Sequence, residues 1–167
     1  MNPMTEANVK DAFAGESQAH MKYLNFAAKA EEEGKGNVAR LFKAASYSEQ
    51  IHASNHLGVL EGVGSTSENL AGAAGGEGFE VDQMYPAYVA VAKLQGEEDA
   101  QESFEAAVEA EKVHRGLYLR AQQAVEAGGD LEAFDLWVCE SCGFTMEGEA
   151  PAKCPVCGSP RRMFAKF

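Results

Sequence analysis

Across the first 127 residues, apolar positions recur at intervals of three and four in four separate runs, the period of helices with one buried face. The first run predicts a helix from about Thr5 to Glu33, ended by Gly34, and the second a helix from about Asn37 to Glu61, ended by Gly62. The third starts near Ser67, carries Pro86 inside it and fades at Gln95-Gly96; the fourth covers Asp99 to Ala127 and ends at Gly128-Gly129. Glycine just past a periodic run is the usual stop, because it takes the left-handed backbone without steric cost. The third run is the most interrupted. Gly72, Gly75, Gly76 and Gly78 each cost about 1 kcal/mol relative to alanine in a helix interior, and Pro86 is expected to bend it.

From Asp130 to Phe167 the helical period disappears, and short aromatic stretches alternate with Gly, Pro and Cys. A piece this small buries too little apolar surface to fold alone and needs a staple such as a metal. The boundary falls at Gly128–Leu131, giving a helical domain over 1–129 and a small domain over 130–167.

Each apolar stripe is interrupted near its middle by groups that ligate metals. Val9, Phe13, Leu24 and Ala27 flank Glu16, and Phe42, Ala45 and Val59 flank Glu49 and His52. Leu70, Ala73, Met84 and Val91 flank Glu77 and Glu80, and Phe104, Val108, Leu117 and Ala121 flank Glu111 and His114. Residues three apart share a helix face, so these groups are expected to enter the same core as their apolar neighbours. Five carboxylates in a core without matching Lys or Arg cost several kcal/mol per ion. Multivalent cations resolve the conflict, and carboxylate with imidazole suits iron or manganese. The spacing also repeats: Glu16 precedes Glu49 by 33 positions and Glu77 precedes Glu111 by 34, and each second Glu opens a Glu-x-x-His. That is the ligand complement of a ferritin-like dimetal four-helix bundle, with Glu80 to spare. His20 and His56 stand outside the pattern and are read as residues behind the ligands or at the surface.

All four cysteines fall between positions 139 and 157. Such clustering favours a local metal site over a disulfide framework. Cys139-x2-Cys142-Gly and Cys154-Pro-x-Cys157-Gly present four thiolates tetrahedrally, a geometry shared by zinc ribbons and iron sites; on this stretch alone zinc is slightly favoured. Trp137, Phe144, Phe164 and Phe167 supply either an apolar shell for a redox metal or the core of a zinc-stapled domain.

The formal charge of −12 argues against a nucleic-acid partner. An apolar run long enough for a bilayer is lacking, and the polar stretch Met1 to Lys10 does not resemble a secretory signal, so a cytoplasmic protein without a membrane partner is expected.

Taken together, the stretches Ala14-Gly15-Glu16-Ser17-Gln18-Ala19, Glu49-Gln50-Ile51-His52, Gly76-Glu77-Gly78-Phe79-Glu80 with Met84-Tyr85-Pro86, Glu111-Lys112-Val113-His114 and the two cysteine knuckles resemble rubrerythrins over nearly the whole chain. The resemblance implies a mainly α protein, a ferritin-like four-helix bundle followed by a rubredoxin-like domain. It implies a diiron centre on Glu16, Glu49, His52, Glu77, Glu80, Glu111 and His114, and one iron on Cys139, Cys142, Cys154 and Cys157, which reverses the preference for zinc. It places Tyr23 and Tyr85 near the diiron carboxylates and gives Glu80 and His52 an exchange at one iron as its oxidation state changes. The implied activity is a peroxidase: hydrogen peroxide is reduced to water, with electrons relayed through the rubredoxin-like iron from an external NAD(P)H-dependent reductase or rubredoxin, in oxidative-stress defence. An oxygen-using diiron oxidase or ferroxidase and a non-enzymatic zinc-ribbon protein are the alternatives.

Chain length bears on assembly. In a ferritin-like bundle the second and third helices run parallel, so their connection must travel about 30 Å back along the bundle at 1.5 Å per residue. Gly62 to Ser67 reaches only about 17 Å when fully extended. An intact third helix therefore predicts a domain-swapped homodimer, each site taking Glu16, Glu49 and His52 from one subunit and Glu77, Glu80, Glu111 and His114 from the other.

Overall fold

The computed structural model describes residues 1–167. Four helical rods precede a small sheet, close to the expected positions. They are α1 (Pro3–Glu32), α2 (Gly36–Val59), a third rod composed of α3 (Thr66–Phe79), a π-helical turn (Glu80–Met84) and α4 (Tyr85–Gln95), and α5 (Glu98–Glu126). Strands β1 (Leu136–Cys139), β2 (Thr145–Glu147) and β3 (Phe164–Lys166) form an antiparallel sheet in the order β2-β1-β3. The chain divides into two compact units, Met1–Gly64 and Ser65–Phe167.

In the first unit α1 and α2 form a hairpin whose seam is built from small residues, with Ala27, Ala30, Ala39, Ser46 and Ala53 buried. Small side chains let the two backbones approach closely. Across the seam Ser46 Oγ donates to His20 O (2.9 Å), and His20 Nδ1 lies 2.9 Å from both Ser46 O and Ser46 Oγ. His20 thus ties the two helices together. Gly34 ends α1 in the left-handed conformation as expected, at φ +70°. The end of α2 differs. Glu61 takes the left-handed position (φ 52°), while Gly62 lies against the Leu57 side chain, whose end would have to move to admit a Cβ.

In the second unit, Ser65 and Glu68 form a capping box: Ser65 Oγ accepts from Glu68 N (3.3 Å) and Glu68 Oε2 accepts from Ser65 N (2.7 Å). This fixes the start of α3 in spite of its glycines. Within the run, Gly78 is buried and would place a Cβ 3.4 Å from the Arg115 guanidinium of α5. The expected break at Pro86 takes the form of the π-turn just ahead of it, in which the Tyr85 N–H bonds to Glu80 O. Arg115 also donates to Asp82 of that turn (3.0 Å).

The helices bury mostly alanine. Of the stripe residues expected in a core, Leu24 (41%), Val59 (53%) and Val91 (50%) remain exposed, in company with Phe26, Ile51, Phe79 and Tyr88. Within each unit, packed helices close only the seam between them and leave the broader face of each stripe uncovered.

The small sheet packs around Cys139, Ala150, Cys154 and Phe164, with Trp137, Cys142, Phe144, Met146 and Val156 against them. Phe167, expected in that shell, is instead 75% exposed. Arg120 of α5 donates to both Glu147 oxygens (2.6 and 3.1 Å) and lies over the Phe134 ring, fastening the sheet to the helix.

Candidate metal centres

The three-residue spacing within each Glu-x-x-His does what the helix period requires. On α2, His52 Nδ1 lies 2.9 Å from Glu49 Oε2, and Glu16 of α1 reaches the same imidazole nitrogen at 3.8 Å. On α5, His114 Nδ1 lies 2.7 Å from Glu111 Oε2, with Glu77 of α3 beside them. In each triad the ligand atoms all lie within 4.8 Å of one another. Six of the seven expected ligands therefore fall into two triads, one in each unit. Glu80 is not gathered into the second triad. It stands at the first position of the π-turn, near enough for the charges of Glu111 and His114 to act on it.

The second triad is electrostatically strained without a cation. Burial, a hydrogen bond with Glu111 and repulsion from Glu111 and Glu80 push Glu77 up to about 7. Burial first, and then Glu111, raise Glu80 as well. Hard carboxylate oxygens with imidazole nitrogen, crowded in this way, suit a pair of iron ions.

Tyr85 lies near this group. Its phenol is raised by burial and by the charges of Glu80, Glu111 and Glu77. Tyr23 lies in a cluster of rings with Phe26 and Phe42, centroids 6.1 Å away in both cases. Sequence reasoning missed Tyr118, whose phenol is raised by burial and by Glu77 and Glu111 and whose ring lies 6.4 Å from His114. The available signal was its position four residues after His114, on the same helix face.

The four sulfurs also converge. Cys139 and Cys157 Sγ are 3.7 Å apart, as are Cys142 and Cys154 Sγ. Metal–sulfur bonds of about 2.3 Å in a tetrahedron put sulfurs about 3.8 Å apart, so the cage fits one ion. Gly143 and Gly158 follow the knuckles in the left-handed conformation and donate to Cys139 O (2.8 Å) and Cys154 O (2.9 Å). The sulfurs are unequal. Burial pushes Cys142 up to about 12, while the Ser159 hydroxyl and amide draw the exposed Cys157 down to about 6. Since two of the four core residues are ligands, stripping this metal is expected to unfold the sheet while the helices persist. Near-ultraviolet dichroism of Trp137, the one tryptophan, reads the first, and far-ultraviolet dichroism the second. An unchanged Trp137 signal in the metal-free chain would refute it.

Comparison with known proteins agrees with both donor sets. The family model for rubrerythrin matches residues 7–122, and that for the rubrerythrin rubredoxin-like domain matches 137–165. The chain is 40% identical to rubrerythrin-2 of Clostridium acetobutylicum, over 99% of this chain and 98% of that protein. It is 35% identical to nigerythrin of Nitratidesulfovibrio vulgaris, over 98% and 86%. The structure of fully reduced, all-ferrous nigerythrin superposes with a TM-score of 0.56 at 33% identity, covering 98% of this chain and 86% of that one. The rubredoxin-like match favours iron over zinc at the four cysteines. With a carboxylate–histidine donor set for two irons and four clustered cysteines for a third, the chain belongs to the rubrerythrin family.

Proposed function

We propose that this protein is a peroxidase that reduces hydrogen peroxide to water at the carboxylate–histidine centre, in cytoplasmic oxidative-stress defence. The observation that carries this reading is the presence, in one chain, of a dimetal donor set and a one-iron electron carrier. An oxidase or ferroxidase needs no attached carrier. Two ferrous ions held there would supply the two electrons that peroxide reduction needs, and an iron held by the four cysteines would pass on electrons from an external NAD(P)H-linked reductase or rubredoxin.

The chain's own residues hold the metals and manage protons. Glu16, Glu49, His52, Glu77, Glu80, Glu111 and His114 are the proposed diiron ligands, and Cys139, Cys142, Cys154 and Cys157 those of the single iron. Reduction of peroxide to two waters consumes two protons. Tyr85 and Tyr118 keep their phenolic protons at neutral pH, because burial and nearby carboxylates oppose ionisation. Each therefore retains a proton to give, and Tyr23 is proposed for the same task. The helical domain is assigned to 1–129 and the electron-transfer domain to 130–167. No helix is long and apolar enough to cross a membrane. The proposed assembly is the domain-swapped homodimer.

The test is anaerobic: the fully reduced protein should consume hydrogen peroxide stoichiometrically and faster than it consumes oxygen. Faster reaction with oxygen would favour the oxidase.

Glu80 is proposed as the ligand that exchanges with His52. Its place on the π-turn, outside the triad, supports a mobile role, since π-turns recur at functional sites. Glu80→Ala is expected to keep two irons and to slow peroxide reduction about 10- to 100-fold, the usual cost of losing a tuning group at a metal. Metal analysis that finds one iron missing would make Glu80 a fixed ligand instead.

A further inference from the structure

His114 is held at both ends. Its Nδ1 lies 2.7 Å from Glu111 Oε2, and its Nε2 lies 2.7 Å from Thr145 Oγ1. Thr145 belongs to the small sheet, where it opens β2, pairs with Val138 of β1 and is 5% exposed. Its hydroxyl donates to Gly143 O (3.2 Å), inside the first cysteine knuckle. A hydroxyl has one proton. Having given it to Gly143, Thr145 can only accept from the imidazole, so Nε2 donates to it. With Nε2 held as a donor, Nδ1 is the nitrogen left for a metal, which would displace its contact with Glu111. The equivalent imidazole of the first unit, His52, has no such support at its far nitrogen, and its side chain is 50% exposed against 28% for His114.

We propose that Thr145 is a positioning residue for the helical metal centre, and that through it metal loading of the four cysteines is coupled to metal binding by Glu77, Glu111 and His114. The inference rests on the reading of His114 as a ligand and not on the substrate. Thr145 is fixed because β2 is paired to β1, and β1 ends at Cys139. A small domain of this size takes its order from its metal. Filling the cysteines therefore fixes Thr145, which fixes the His114 ring. The coupling is reciprocal, as linkage between two sites must be.

The test uses the full chain and manganese(II), which suits carboxylate and imidazole and not thiolate, with zinc as the filler of the cysteine site. Free manganese(II) is followed by electron paramagnetic resonance during titration of metal-free protein, with and without one equivalent of zinc. Zinc-loaded wild type should bind manganese about tenfold more tightly than zinc-free protein, the lower end of what an outer partner of a ligating histidine contributes. Thr145→Val should lose that tenfold together with its response to zinc, and Thr145→Ser should restore both. Equal affinity in wild type and Thr145→Val, or no zinc effect in wild type, would overturn the proposal. If the valine variant does not fold its small domain, seen as loss of the cobalt(II)–thiolate absorption, the wild-type comparison decides alone. Peroxide enters none of these measurements, so failure of the peroxidase reading and failure of this one are separate results.

Discussion

Cys139→Ser is expected to give a protein that reacts with peroxide once and then stops. Cys139 is fully buried, and its sulfur lies 3.7 Å from that of Cys157. Serine offers a harder oxygen that does not ionise at neutral pH and cannot replace a thiolate in a tetrahedral sulfur cage. Turnover with an external donor should fall to background, because electrons then have no carrier through which to enter. The pre-reduced variant should still consume one equivalent of peroxide per diiron site, since its helical ligands are untouched. It should need about tenfold more metal to fill that site, because a loosened sheet no longer holds Thr145 against His114. Stopped-flow mixing with peroxide, single-turnover against steady-state, separates these outcomes. Steady-state turnover at the wild-type rate would refute the relay.

Much of this arrangement was legible in the sequence because its signals are local. Glycine stops at Gly34, Gly96 and Gly128 coincide with left-handed backbone. A Glu-x-x-His keeps its two side chains together on any helix, and a Cys-x-x-Cys knuckle builds half of a tetrahedral cage by itself. What the sequence could not show depends on distant parts of the chain. Thr145 meets His114 from 31 positions away, and no period or motif announces that contact. The π-turn covers only the five residues Glu80–Met84, too short a stretch for the apolar period to reveal. Glu80 keeps the helical three-residue spacing from Glu77, yet it is not among the groups that converge in the triad. Periodicity likewise marks one face of each helix as apolar without saying what covers it. Alanines fill the seams, and the larger side chains, Phe26, Ile51, Phe79 and Tyr88 among them, are left for another surface.

A second copy of the chain is the surface proposed to cover them, and mixing two inactive variants tests this directly. Residues 60–62 fold back onto the end of α2, with Leu60, Glu61 and Gly62 amides bonded to His56, Gly58 and Leu57 carbonyls. Ser65 is fixed by the capping box, so α3 is intact from its first turn. Only the stretch from Gly62 to Thr66 is left to travel, about 14 Å when extended. From His52 to the end of α2 and from the start of α3 to Glu77 is about 27 Å of helix at 1.5 Å per residue. A parallel arrangement within one bundle cannot be closed by that connection, whereas two copies exchanging their α1–α2 hairpins need no such return. Glu49→Ala damages only the hairpin half of a site, and Glu111→Ala only the other half. Each variant alone should be inactive. In a swapped heterodimer both lesions fall in one site, and the other site receives an intact hairpin from the Glu111→Ala chain and an intact α3–α5 from the Glu49→Ala chain. Random pairing makes half of the dimers mixed, so co-refolded protein should recover about a quarter of wild-type peroxidase activity and half an iron per chain in active sites. Unswapped bundles would recover none, since every site would then keep one lesion whatever its neighbour carries.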